Sequence, residues 1–107
     1  WGDYDNDQDF DLYLSNWGKN RLYRNDNGNF VNVAETFNVE SDSLSNGAGW
    51  GDFNNDGLID LWAANFKRED DVYLNPGDDR TIWDNSSNPI FMSATQDVVA
   101  ADYNNDG

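Results

Sequence analysis

Counting from Asp3 as position 1, oxygen-bearing side chains stand at positions 1, 3, 5 and 9 of a short segment: Asp3, Asp5, Asp7 and Asp11. Counting from Asp52, the same offsets hold Asp52, Asn54, Asp56 and Asp60. Counting from Asp102, they hold Asp102, Asn104 and Asp106, and the sequence stops before position 9. Side chains at alternating positions of a tight loop can converge on one point. A hard cation such as Ca²⁺ takes about 6–8 oxygens at about 2.3–2.6 Å. Four side chains, the carbonyl at position 7 (Asp9 or Leu58) and water meet that requirement. Gly57 stands at position 6 of the second segment, where a sharp turn favours glycine; the first segment has Gln8 there.

Electrostatics sharpens the choice. In "DYDNDQDFDL", residues 3–12, five of ten residues are Asp. Two carboxylates about 4 Å apart repel by roughly 4 kcal/mol at an effective dielectric near 20. Such a loop is either a solvated acidic turn or the shell of something positive. Turns need Asn, Asp or Gly somewhere, but not oxygens at matched offsets in three copies. The matched offsets point to cation binding. An EF-hand is excluded, because that loop needs Glu at position 12 and helical flanks, and position 12 here is Leu14 or Ala63.

Composition agrees. The chain of 107 residues carries 21 acids against 6 bases, a formal net charge of −15. Asp supplies 18 of the acids and Glu 3, which suits turns and hard-cation loops rather than a helical surface. The charge argues against nucleic acid and anionic membranes as partners. Five Trp, five Tyr and six Phe give it material for a core, which argues against disorder. Histidine and cysteine are absent, so the usual general base, the usual zinc ligands and any disulfide framework are missing. No apolar run approaches the ~20 residues of a membrane helix, and no signal peptide is visible.

The elements that position these loops recur with them. "WGDYDNDQDFDLYLSNW" (1–17) aligns with "WGDFNNDGLIDLWAANF" (50–66), and "ADYNNDG" (101–107) begins a third copy. The first Asp of each copy gives intervals of 49 and 50 residues. "NRLYRNDNGNF" (20–30) parallels "DDVYLNPGDD" (70–79), each running an apolar-Tyr-x-Asn stretch into a turn marked by Asn-Gly or Pro-Gly. "DLYLSN", "RLYRN", "FVNVA" and "GAGWGDF" have strand length and strand composition. "GAGWGDF" and "VVAADY" (98–103) read as crowded inner strands leading into acidic loops. About four strands fit each period of ~50 residues, which is the arithmetic of a β-propeller blade. The expected fold is all-β: a propeller fragment of about two four-stranded blades plus the start of a third. Its units are residues 1–49, 50–99 and 100–107, the first incomplete at its N-terminal strand and the last truncated. Because repeat units bury their faces on neighbours, the chain reads as a piece of a longer propeller.

On these residues the sequence resembles the FG-GAP/VCBS repeats, the integrin-α-like β-propellers. "DYDNDQDFDLYL" and "DFNNDGLIDLWA" look like their calcium loops. "GAGWGDFNNDGLIDLWAAN" is similar to the versions found beside ASPIC/UnbV domains. The resemblance implies a propeller of about seven or eight blades. It also implies Ca²⁺ in strand-connecting loops on one face and an extracellular, periplasmic or cell-surface setting. Weak extracellular calcium sites of about 10⁻⁴–10⁻³ M agree with that setting.

Function beyond calcium divides into classes. An adhesion or binding module would offer protein or glycan partners its loops and exposed aromatics, and Trp17, Trp62 and Trp83 are candidates for sugar stacking. The same aromatics can instead fill the space between blades. An enzyme is the alternative: a propeller-type polysaccharide lyase, or a propeller fused to a catalytic domain. No Gly-x-Ser-x-Gly elbow is present, and Lys19, Arg21, Arg24, Lys67, Arg68 and Arg80 read as surface balance for nearby Asp rather than an acidic-sugar site. No catalytic residue is expected in this piece.

Overall fold

The computed structural model describes residues 1–66, 68–78, 80–85, 97 and 99. Six strands and one short helix follow in chain order: β1 (Leu12–Leu14), β2 (Arg21–Asp26), β3 (Asn29–Asn32), α1 (Ala34–Phe37), β4 (Leu44–Gly51), β5 (Asp60–Phe66) and β6 (Asp71–Tyr73). They form two antiparallel three-stranded sheets, ordered β1-β2-β3 and β4-β5-β6. The fold is all-β, as the strand-length segments and turn signals require.

The two sheets show the same repeat in different phases. Leu12 pairs with Tyr23 in the first, and Leu61 pairs with Tyr73 in the second. Thus β1 and β2 are the counterparts of β5 and β6. The pair Gly51–Asp60 that ends the β4–β5 ladder recurs in the first sheet as an isolated bridge, Gly2–Asp11. The position of β3 recurs in the second sheet as the bridge Leu74–Asp84. Among the described residues neither sheet has four full strands, but each marks its fourth strand by one bridged pair. Because β4 begins at Leu44, it straddles the line at residues 49 and 50 drawn from the sequence repeat. The third acidic segment, with Asp102, Asn104 and Asp106, lies outside the described residues.

Local chemistry sets the turns. Asn27 and Gly28 join β2 to β3 with φ of 54° and 90°, the two positive values that a two-residue hairpin of matching twist requires. The small residues of β4 serve close approach: a Cβ on Gly47 would lie 2.5 Å from Asp97 Oδ1.

The core lies between the sheets. Tyr4, Tyr13, Leu22, Phe37 and Val39 meet Leu61, Ala63, Tyr73 and Trp83, all buried. Aromatic edges lock it: Tyr4 meets Phe37 at 5.9 Å and Trp83 at 5.6 Å, and Trp50 meets Tyr13 at 6.5 Å. The hydroxyl of Tyr13 donates to the Val39 carbonyl at 2.9 Å, so this ring is satisfied at its polar end.

A polar seam crosses the same interface away from the acidic loops. Asn20 Nδ2 donates to Ser45 Oγ at 2.8 Å, and Ser45 Oγ donates to Asn65 Oδ1 at 2.7 Å. All three residues are buried, so each of these bonds offsets a desolvation cost that an unpaired group would carry in full.

Candidate metal centre

The two acidic loops connect equivalent strand positions and fold alike. Loop one runs from Gly2 to Asp11, loop two from Gly51 to Asp60. In loop one, Asp3 Oδ1 accepts from the Asp7 N–H at 3.1 Å and Asp3 Oδ2 from the Gln8 N–H at 3.1 Å. In loop two, Asp52 does the same for Asp56 at 3.1 Å and Gly57 at 2.8 Å. The position-5 carboxylate then holds the backbone at position 7: Asp7 Oδ1 accepts from Asp9 N–H and Asp56 Oδ1 from Leu58 N–H, both at 2.9 Å. These side-chain-to-backbone turns wind the segment into a compact coil. Winding demands left-handed backbone at two matched places, Asn6 and Gln8 in loop one and Asn55 and Gly57 in loop two. Gln8 has φ 78° where Gly57 has φ 87°, so the first loop reaches the same shape with a residue that resists it.

Position 9 anchors each loop to its sheet. Asp11 and Asp60 are fully buried. Asp11 accepts from the Tyr4 N–H at 3.0 Å and the Asn25 N–H at 2.9 Å. Asp60 accepts from the Phe53 and Asn75 N–H groups, both at 2.8 Å. Burial raises both carboxyls above their ordinary range, while these backbone donors pull the other way.

Asp3, Asp5 and Asp11 each turn one carboxylate oxygen to within 4.8 Å of the other two, the one such trio of acids among the described residues. Asp5 Oδ1 is buried and has no hydrogen-bond partner. Its pKa is pushed up to about 6, first by desolvation and then by the charges of Asp11 and Asp7. A carboxylate with one buried, unpaired oxygen, grouped with two further carboxylates, is the environment a hard cation relieves. The donor set, all oxygen with no sulfur or imidazole, fits Ca²⁺.

The other expected ligands make bonds of their own. Asp7 spends an oxygen on the turn, and Asp9 Oδ2 accepts from the Asn27 N–H at 2.7 Å, tying the loop to the β2–β3 turn. In loop two, Asn54 occupies the third position and closes on Asp56, its Nδ2 donating to Asp56 Oδ2 at 2.9 Å. Backbone donors, led by Gly57, hold Asp52 below the usual carboxylate range.

Two residues outside the acidic run organise the loops. Asn25 Nδ2 donates to the Phe10 carbonyl at 3.1 Å and Asn75 Nδ2 to the Ile59 carbonyl at 3.1 Å, each at the residue before position 9. Their signal is the final Asn of the repeated apolar-Tyr-x-Asn stretch. Read alone, it passes for an ordinary turn residue.

The family model of the FG-GAP-like repeat matches residues 3–63 and again residues 52–107. The chain belongs to the FG-GAP-like repeat family. Both matches start on the first Asp of an acidic loop and share loop two, so the FG-GAP-like period is the period of the loops. No curated protein matches the chain. FG-GAP-like repeats build propeller blades with other repeats, and the two sheets here are packed as such neighbours.

The aromatic candidates separate by burial. Trp83 is 1% exposed and belongs to the core, so it offers no ring to a ligand. Trp62 is half-buried, its Nε1 donating to Asp70 at 3.1 Å. Trp17 is 78% exposed.

Proposed function

We propose that the chain is a calcium-clamped repeat module of a β-propeller, working outside the cell, in the periplasm or at the cell surface, in adhesion or in protein or glycan binding. The observation that carries this reading is the buried, unpartnered Asp5 Oδ1 set against Asp3 and Asp11. In loop one these three residues would hold the ion, with Asp7 and the Asp9 carbonyl as further donors. In loop two the counterparts are Asp52, Asn54, Asp56, the Leu58 carbonyl and Asp60, and the third loop would begin its own set with Asp102, Asn104 and Asp106. When bound, Ca²⁺ supplies the positive charge that the acidic run lacks.

The protein supplies the rest. Asp3 and Asp52 wind the loops, and Asp11 and Asp60 fasten them to the next strand. Cation binding to the folded loop alone then adds to folding stability. The role is structural, with no catalytic residue in this chain. Among the described residues no helix is long and apolar enough to cross a membrane. The remaining partners of the module are further blades of the same chain and an external protein or glycan reached through loops and exposed rings such as Trp17.

Thermal unfolding with and without calcium tests the clamp. At a free Ca²⁺ concentration tenfold above Kd, each filled site adds about 1.4 kcal/mol. For a domain of this size that raises Tm by roughly 5–10 °C per site. EDTA should remove the increment and added CaCl₂ restore it. A Tm indifferent to both rejects the clamp.

A further inference from the structure

We propose that the two calcium loops are thermodynamically coupled, and that Asn75 is the positioning residue that couples them. The inference rests on the calcium reading above and adds a property that reading does not contain. Asn75 is 3% exposed and joins both loops at once. Its backbone N–H donates to Asp60, the position-9 carboxylate of loop two, at 2.8 Å. Its Nδ2 donates to the Ile59 carbonyl of loop two at 3.1 Å and to the Tyr4 carbonyl of loop one at 2.8 Å. Its Oδ1 accepts from the Gly77 N–H at 2.9 Å, which fixes the amide's orientation. Tyr4 stands between Asp3 and Asp5, and its own N–H donates to Asp11 at 3.0 Å. The chain of contacts therefore runs from a loop-two carboxylate, through one buried amide, to the peptide flanked by the loop-one trio.

Geometry gives the sign. Ordering of loop two fixes Asp60, which fixes the Asn75 backbone and aims its amide at Tyr4. Tyr4 so held keeps Asp3, Asp5 and Asp11 in their converging arrangement. Filling one loop therefore lowers the cost of ordering the other, and the effect is reciprocal. The first sheet supplies an internal contrast. Asn25 makes the equivalent bonds to Phe10 and Gly28 within its own sheet, and among the described residues it meets no second loop.

The test is a cycle of calorimetric CaCl₂ titrations on the full chain. Disabling loop two by Asp52→Asn with Asp56→Asn, which leaves Asp60 in place, should weaken calcium at loop one by about fivefold or more. In an Asn75→Ala background the same pair of substitutions should leave loop-one affinity unchanged. Should Asn75→Ala fail to fold, amide exchange in a protein with loop one disabled by Asp3→Asn and Asp5→Asn decides the matter. There, calcium at loop two should slow exchange of the Tyr4 N–H. Binding at both loops with independent affinities, or Tyr4 exchange indifferent to calcium, overturns the coupling while leaving the clamp intact. No binding at either loop overturns both.

Discussion

Asp5 carries a cost that its neighbours have shed. Asp3 and Asp11 spend both oxygens on backbone donors, whereas Asp5 Oδ1 is buried without one. Replacing Asp5 by Asn should therefore act with opposite signs in two conditions. Without calcium, Asp5→Asn removes like-charge repulsion and stabilises the fold by about 1 kcal/mol, a figure discounted for the residue's partial exposure. With millimolar calcium it removes a charged ligand and lowers stability relative to the parent. Urea unfolding in EDTA and in CaCl₂ reads both, and a destabilisation of equal size in the two buffers contradicts the assignment. At this scale the sequence is only partly legible. Asp and Asn at alternating positions serve equally as cation ligands and as caps of their own turns. The spacing identifies the loop, but it does not say that Asp3, Asp5 and Asp11 are the three acids whose carboxylates converge.

Strands fare better, because a repeat repeats its contacts. The segments read as strands overlap β1, β2, β3 and β4, although 30–34 runs past β3 into α1 and 47–53 misses the first three residues of β4, and the hairpin at Asn27–Gly28 follows from its dipeptide. What the repeat hides is the fastening between strands. Asp60 joins the end of β4 to the end of β6 through one buried and one part-buried N–H, and Asp11 does the same around β1 and β2. Asp60→Ala should cost about 2–4 kcal/mol, since each orphaned donor costs about 1–3 kcal/mol. Asp60→Asn, keeping one acceptor, should cost about half as much. Denaturant midpoints measured in EDTA separate this from any loss of calcium, and an unchanged midpoint for the alanine variant would sink the fastening role. Trp83 follows the packing alternative read from the sequence rather than the sugar-stacking one: it closes the core against Tyr4 and Phe37.

As a whole, the molecule shows one face already used and its counterpart still open. Trp50 and Ile59 of the second sheet pack against the core. Their repeat equivalents in the first sheet, Trp1 and Phe10, are 69% and 67% exposed. Trp1 meets Phe30 edge-on at 6.3 Å, and exposed rings of this kind promote association. Trp1→Ser combined with Phe10→Ser should raise the monomer fraction in sedimentation velocity without altering calcium affinity. An unchanged profile would mean that this face is not adhesive. Between the two sheets, the seam at Ser45 has a consequence for what evolution can do here. Its hydroxyl accepts a hydrogen bond from Asn20 and donates one to Asn65, so the bonds point in a single direction across the joint. A methyl group would strand both amides, a carboxylate could only receive, and an ammonium could only give. Position 45 is thus a one-way coupling that a hydroxyl amino acid alone can fill at that size, and a saturation library should find it nearly as intolerant as the tightest glycine in the chain.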